Sequence, residues 1–125
     1  MRQRLNKYGG LGWVLLVCAA VGCGQSGRTY VLDEELARSS LEDALQAWVD
    51  GQTPEDLQPT IIMGDQGWAE GRKLGSFEIL PDEETTDGSN LYIRVKRKFA
   101  DDNRTMESKV TYIVGTSPAI TIFPQ

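Results

Sequence analysis

The tightest constraint on this chain is a pair of alternating runs separated by a polar turn. From Asn90 to Ala100, Leu91, Ile93, Val95 and Phe99 fall on one face, with Arg97 the one interruption. Tyr92, Arg94, Lys96 and Lys98 fall on the other. A period of two over this length marks a half-buried strand. Asp101-Asp102-Asn103-Arg104 follows, a cluster suited to a tight turn. From Thr105 to Gly115 the alternation resumes, and Met106, Val110, Tyr112 and Val114 share a face.

Parity then predicts the pairing. With Asp102-Asn103 at the tip, Phe99 lies opposite Met106, Val95 opposite Val110, Ile93 opposite Tyr112 and Leu91 opposite Val114. A slip of one residue would turn a whole apolar set to the wrong face. On the other face Lys98 meets Glu107 favourably, and Lys96 meets Lys109 at a cost of a few tenths to ~1 kcal/mol. Gly115-Thr116-Ser117-Pro118 is a second turn, and Ala119 to Phe123 a third strand with Ile120 and Ile122 on one face.

Such a sheet needs a cover, and one segment supplies it. Between Asp33 and Asp50, Leu41, Ala44, Leu45, Trp48 and Val49 recur at helical spacing, extended by Leu36 and Ala37. Asp33 is placed to cap the N-terminus, with Glu34 and Glu35 in the first turn where negative charge suits the helix dipole. Gly51 stands where a helix C-terminus favours glycine. Thr53-Pro54-Glu55-Asp56 reads as a single helical turn ended by Pro59. Thr60 to Met63 is a short strand or an apolar plug, Gly64 to Trp68 a turn, and Trp68 to Gly71 one further helical turn. Lys73 to Leu80 reads as a strand with a bulge at Gly75, and Pro81 to Ser89 as an acidic loop holding Asp82, Glu83, Glu84 and Asp87. The expectation is an α+β domain over residues 33–125, with one N-terminal helix packed on a four-stranded antiparallel sheet.

Upstream, Arg2, Arg4 and Lys7 precede an apolar or small stretch from Tyr8 to Gly22. That stretch is shorter than the ~20 residues of a membrane helix and suits the apolar region of an export signal. Its end, Ala19-Ala20-Val21-Gly22-Cys23, resembles the lipobox of bacterial lipoproteins, with Ala20 where leucine is most usual. The resemblance implies that residues 1–22 are a signal peptide and that Cys23 is lipidated and becomes the first mature residue. Residues 23–32 would then be a tether. It also implies a location in the cell envelope, on an extracytoplasmic membrane face, held by acyl chains. Two or more chains are needed for stable anchoring. Cys18 would be discarded, leaving no thiol for a disulfide.

Charge and composition narrow the partners. The full chain carries 13 basic and 18 acidic residues, a formal charge of −5. Loss of Arg2, Arg4 and Lys7 with the signal would take it to −8. An acidic domain of this kind argues against nucleic acid, whose phosphates need a basic surface. The chain has no histidine, which removes the commonest general base and most zinc sites. No cofactor or metal site is expected, and the predicted inward positions are aliphatic or aromatic. The acidic run at Asp82–Asp87 lacks the spacing of a calcium loop and reads as a solvated hairpin tip. Arg94, Lys96, Lys98 and Lys109 read as a solvated outer strip. Trp68, outside any helical stripe, is either a cap on the core or a ligand or partner contact.

One long helix wrapped by an antiparallel sheet resembles the cystatin-like and NTF2-like architectures. The Gln-x-Val-x-Gly loop of cystatin inhibitors is missing from this sequence. The segments Ala44–Leu57 and Val110–Phe123 also resemble small lipoproteins of planctomycete bacteria, a resemblance that implies no activity. The reading is therefore a non-catalytic interaction or structural domain anchored in the envelope. The alternative is a small-molecule binder, with Trp48, Trp68, Phe77 and Tyr112 walling a pocket between helix and sheet.

Overall fold

The hairpin set by parity is the centre of the sheet. The computed structural model describes residues 31–101 and 103–125. Strands β3 (Asn90–Asp101) and β4 (Arg104–Gly115) pair in the register read from alternation, with Leu91 opposite Val114, Ile93 opposite Tyr112, Val95 opposite Val110 and Phe99 opposite Met106. Asp101 pairs with Arg104, and Asn103 has a φ of 69°, the left-handed conformation that asparagine adopts more readily than most residues. Asp102 lies outside the described residues, as do Cys23, the stretch before it and most of the tether.

The remaining strands are β1 (Ile61–Met63), β2 (Leu74–Thr86) and β5 (Ile120–Pro124). The sheet order is β1-β5-β4-β3-β2. This corrects the four-stranded antiparallel expectation. β1 adds a fifth strand and pairs parallel to β5, with Ile61 opposite Ile120 and Met63 opposite Ile122. A three-residue apolar run shows no alternation long enough to separate a strand from a plug. Its pairing is fixed by a partner at the far end of the chain.

β2 also runs further than the sequence suggests. The segment from Pro81 to Thr86, expected as loop, continues the strand, and the turn proper is only Asp87-Gly88-Ser89. The register shifts at Gly75, as expected of a bulge, and again between Leu80 and Thr85. The second shift bows the acidic run out of the ladder, which lets residues of poor strand propensity remain in an edge strand. Asp87 closes the turn. Its Oδ1 accepts from the backbone N–H of Ser89 (2.9 Å) and Asn90 (2.8 Å), and its Oδ2 accepts from the Tyr92 hydroxyl at 3.0 Å. The N–H groups of Asn90 and Ser89, with that hydroxyl, hold the Asp87 carboxyl below its ordinary value.

The helix α1 (Glu34–Val49) lies across one face of the sheet and touches every strand. Asp33 caps it, its carboxylate accepting from the Leu36 N–H at 3.0 Å. Ala37, Leu41, Ala44, Leu45 and Trp48 face Leu91, Ile93, Val95, Tyr112, Val114 and Ile122, and all are buried. Burying each larger side chain contributes about 1.5–3 kcal/mol before entropy is counted. A short helix α2 (Gln66–Ala69) follows β1, capped by Asp65. The opposite face of the sheet has no covering layer among the described residues. It carries Arg94, Lys96, Lys98 and Lys109, and it explains the unfavourable Lys96–Lys109 pair. β2 places Glu78 across from Lys96, with the carboxylate 3.7 Å from Nζ.

Candidate functional site

Two features of the molecule bear on function, one sealed and one open. The sealed one begins with Arg97, the single charge on the apolar face of β3. Its guanidinium turns toward the start of α2 and meets the Asp65 carboxylate, with Nη1 3.2 Å from Oδ2. The same Oδ2 accepts from the Tyr112 hydroxyl at 2.6 Å. Arg97 Nη1 also donates to the Tyr112 hydroxyl (3.2 Å), and Nη2 donates to Ser108 Oγ at 3.1 Å. Asp65 Oδ1 faces the other way and accepts from the Trp68 N–H at 3.3 Å, capping α2. Asp65 is 4% exposed and Tyr112 not at all.

This cluster binds parts of the fold to each other. Asp65 follows β1, Arg97 lies on β3, and Ser108 and Tyr112 lie on β4. Burial first, then the Asp65 charge and its hydrogen bond, push the Tyr112 hydroxyl well above its ordinary value, so it remains a donor. Both carboxylate oxygens are engaged, and Asp65 lines none of the three depressions described below. An acid so placed fixes geometry and leaves no oxygen aimed at a substrate.

Sequence reading missed this cluster. It noted Arg97 as an interruption but treated Asp65 as a turn residue and the inward positions as apolar. The one available signal was a lone arginine in an otherwise apolar strand face, which requires a buried counter-charge somewhere.

The open feature is a groove along the flank of α1. At one end Trp48 and Trp68 stack with ring centroids 5.3 Å apart and planes 8° from parallel. Trp48 Nε1 donates to the Arg72 carbonyl at 2.6 Å, and Trp68 Nε1 donates to the Gln52 carbonyl at 2.7 Å. Trp68 is 4% exposed, so it contributes a wall rather than a protruding anchor. A depression of about 460 Å³ opens beside the pair, lined also by Val49, Arg72, Lys73 and Gly75. Arg72 lies over the Phe99 ring (3.7 Å to the centroid) and its Nη2 is 3.2 Å from Asp101 Oδ2.

From there the groove continues between α1 and β2. Val49 and Gly75 border both this depression and the next, which runs past Gln46, Glu42, Phe77 and Ile79. Glu42 and Ile79 in turn border a third, ending at Asp33, Glu35, Leu36 and Glu84. The groove is closed at that end by Arg38, whose Nε donates to Glu84 Oε1 at 2.9 Å and whose Nη2 donates to Glu34 Oε1 at 2.9 Å. The Glu84 hydrogen bond, aided by Glu34, raises the Arg38 value and keeps it charged.

The four residues expected to wall a single pocket are therefore divided. Trp48 and Trp68 line one end of the groove, Phe77 lines its middle, and Tyr112 belongs to the sealed cluster. Among the described residues no group of His, Cys, Asp and Glu is placed to hold a metal ion, and no helix is long and apolar enough to cross a membrane. Comparison with family models, with curated proteins and with solved structures finds no match for this chain.

Proposed function

We propose that this is a lipid-anchored protein of the cell envelope whose folded domain acts through contacts and not through catalysis. One observation carries the non-catalytic part. Asp65, the one buried acid among the described residues, is engaged by Tyr112, Arg97 and the Trp68 N–H, and is 4% exposed. The anchoring rests on the basic start, the apolar stretch and the Gly22-Cys23 junction. The one long helix, α1, laid across the antiparallel meander of β2 to β5 supports a cystatin-like or NTF2-like reading of the fold. The acidic balance supports a protein partner in the envelope over nucleic acid. Likeness to small planctomycete lipoproteins fits the same picture.

Intact mass and membrane fractionation of the expressed chain, beside Cys23→Ala, test the anchor. The expected product starts at Cys23, carries added acyl mass and sediments with membranes, and the variant loses both properties. An unmodified soluble product would refute it. A second reading is favoured by the stacked Trp48–Trp68 pair: a small aromatic or anionic molecule held beside the rings near Arg72 and Lys73. Saturable quenching of tryptophan fluorescence by such a compound, lost in Arg72→Ala, would support this reading over the first.

A further inference from the structure

The long edge of the sheet is β2, and among the described residues its outward backbone groups from Ser76 to Leu80 bond to no other element. An edge strand presents every second N–H and C=O to whatever lies beside it. Here that row borders the groove, which Ser76, Phe77 and Ile79 line, the last two with half-buried apolar side chains. The edge is bounded. The Gly75 bulge stands at one end, and Pro81 with the displaced acidic run stands at the other. Five residues remain, a length of about 17 Å, typical of a complete strand.

We propose that the groove between α1 and β2 binds an extended basic segment of a partner protein as a sixth strand. The charge of the walls selects the occupant. Asp33, Glu35, Glu42 and Glu84 are opposed there by Arg38 alone. Glu78, on the other side of the same edge, is exposed. An added strand with Lys or Arg at alternate positions lays its methylene stems on Phe77 and Ile79 and carries its charges to Glu42 and Glu35. Main-chain hydrogen bonds supply affinity, and the acid walls supply the choice of segment. A second copy of this chain fits poorly, since pairing two such edges sets acid against acid.

The proposal rests on reading the domain as a contact module, and the two fail separately. Acyl mass and fractionation report on the anchor, and strand addition has its own readout. The probe is the blocked heptapeptide Lys-Val-Lys-Val-Lys-Val-Lys, with Glu for every Lys as the control, added to the full expressed protein in detergent at low salt. The expected result is saturable binding at least about tenfold tighter than the Glu peptide. Newly slowed amide exchange should be confined to those amides of residues 76–80 that point away from β3. Glu42→Lys, an exposed change that leaves the melting temperature in place, should weaken the Lys peptide about fivefold or more. Glu42→Gln serves as a second variant, expected to weaken the Lys peptide in the same direction by less. Equal binding of the two peptides, protection on β1 or the outer face, or protection in the free protein of the amides of residues 76–80 that point away from β3 would overturn it.

Discussion

The two edges of this sheet are built to opposite ends. The β1 edge is three residues long and is fastened where its chain leaves. Its chain leaves through Gly64, where a Cβ would stand 2.3 Å from the Phe123 ring, and enters Asp65, which is fastened to Arg97 and Tyr112. The β2 edge is longer, bulged twice, bordered by a groove and tied to α1 at its acidic end by Arg38. A short edge strand is one way a sheet limits what can pair with it, and β1 is much the shorter of the two.

The largest way to break that contrast is at Asp65. Asp65→Ala leaves the Arg97 guanidinium buried without a counter-charge and removes the cap of α2. The expected loss is about 3–5 kcal/mol, read as a lowered urea midpoint. Adding Arg97→Met to Asp65→Asn should recover part of the loss, because the orphaned charge is then gone. Gly64→Ala comes next, at about 1–2 kcal/mol from overpacking. Phe123 is 44% exposed and its ring can swing outward. The cost should therefore vanish in a Phe123→Ala background, a double-mutant cycle that isolates this contact.

Tyr112 gives a pH signature on the same side. Its raised value means the folded state holds the proton that the unfolded chain releases near the ordinary value of 10.0. The stabilisation is complete below that pH and is lost as pH rises above it. Tyr112→Phe should cost about 1 kcal/mol at neutral pH and flatten the alkaline fall in stability. An unchanged alkaline limb would detach Tyr112 from the cluster. On the open side, Ser76→Lys should change stability by less than about 0.5 kcal/mol. A comparable loss from Ser76→Lys and Asp65→Ala would erase the distinction between the edges.

How much of this was legible in the residues follows the range of the interaction. The β3–β4 register, the Gly75 bulge and the Asp33 cap were readable because each depends on neighbours in sequence or on strict alternation. The parallel pairing of Ile61 with Ile120 was not, because three apolar residues fit a strand or a plug and the partner is remote. The acidic run after Pro81 read as loop on propensity. Its place in β2 is decided by pairing of Thr85 with Tyr92 and by Glu84 reaching Arg38 on α1. The sealed cluster was half visible. Arg97 stood out against its apolar face, but nothing near it in the chain named Asp65, 32 residues earlier. The groove was invisible for a further reason: it is made by the spacing between a helix and a strand edge, and no residue pattern records a gap.

Amide hydrogen exchange in the free protein tests the difference between the edges most directly. The account predicts slow exchange at the paired amides of residues 61–63. It predicts fast exchange at alternate amides from Ser76 to Leu80, those that point away from β3. Uniform protection along both edges would contradict it, because the β2 edge would then be occupied and the groove closed.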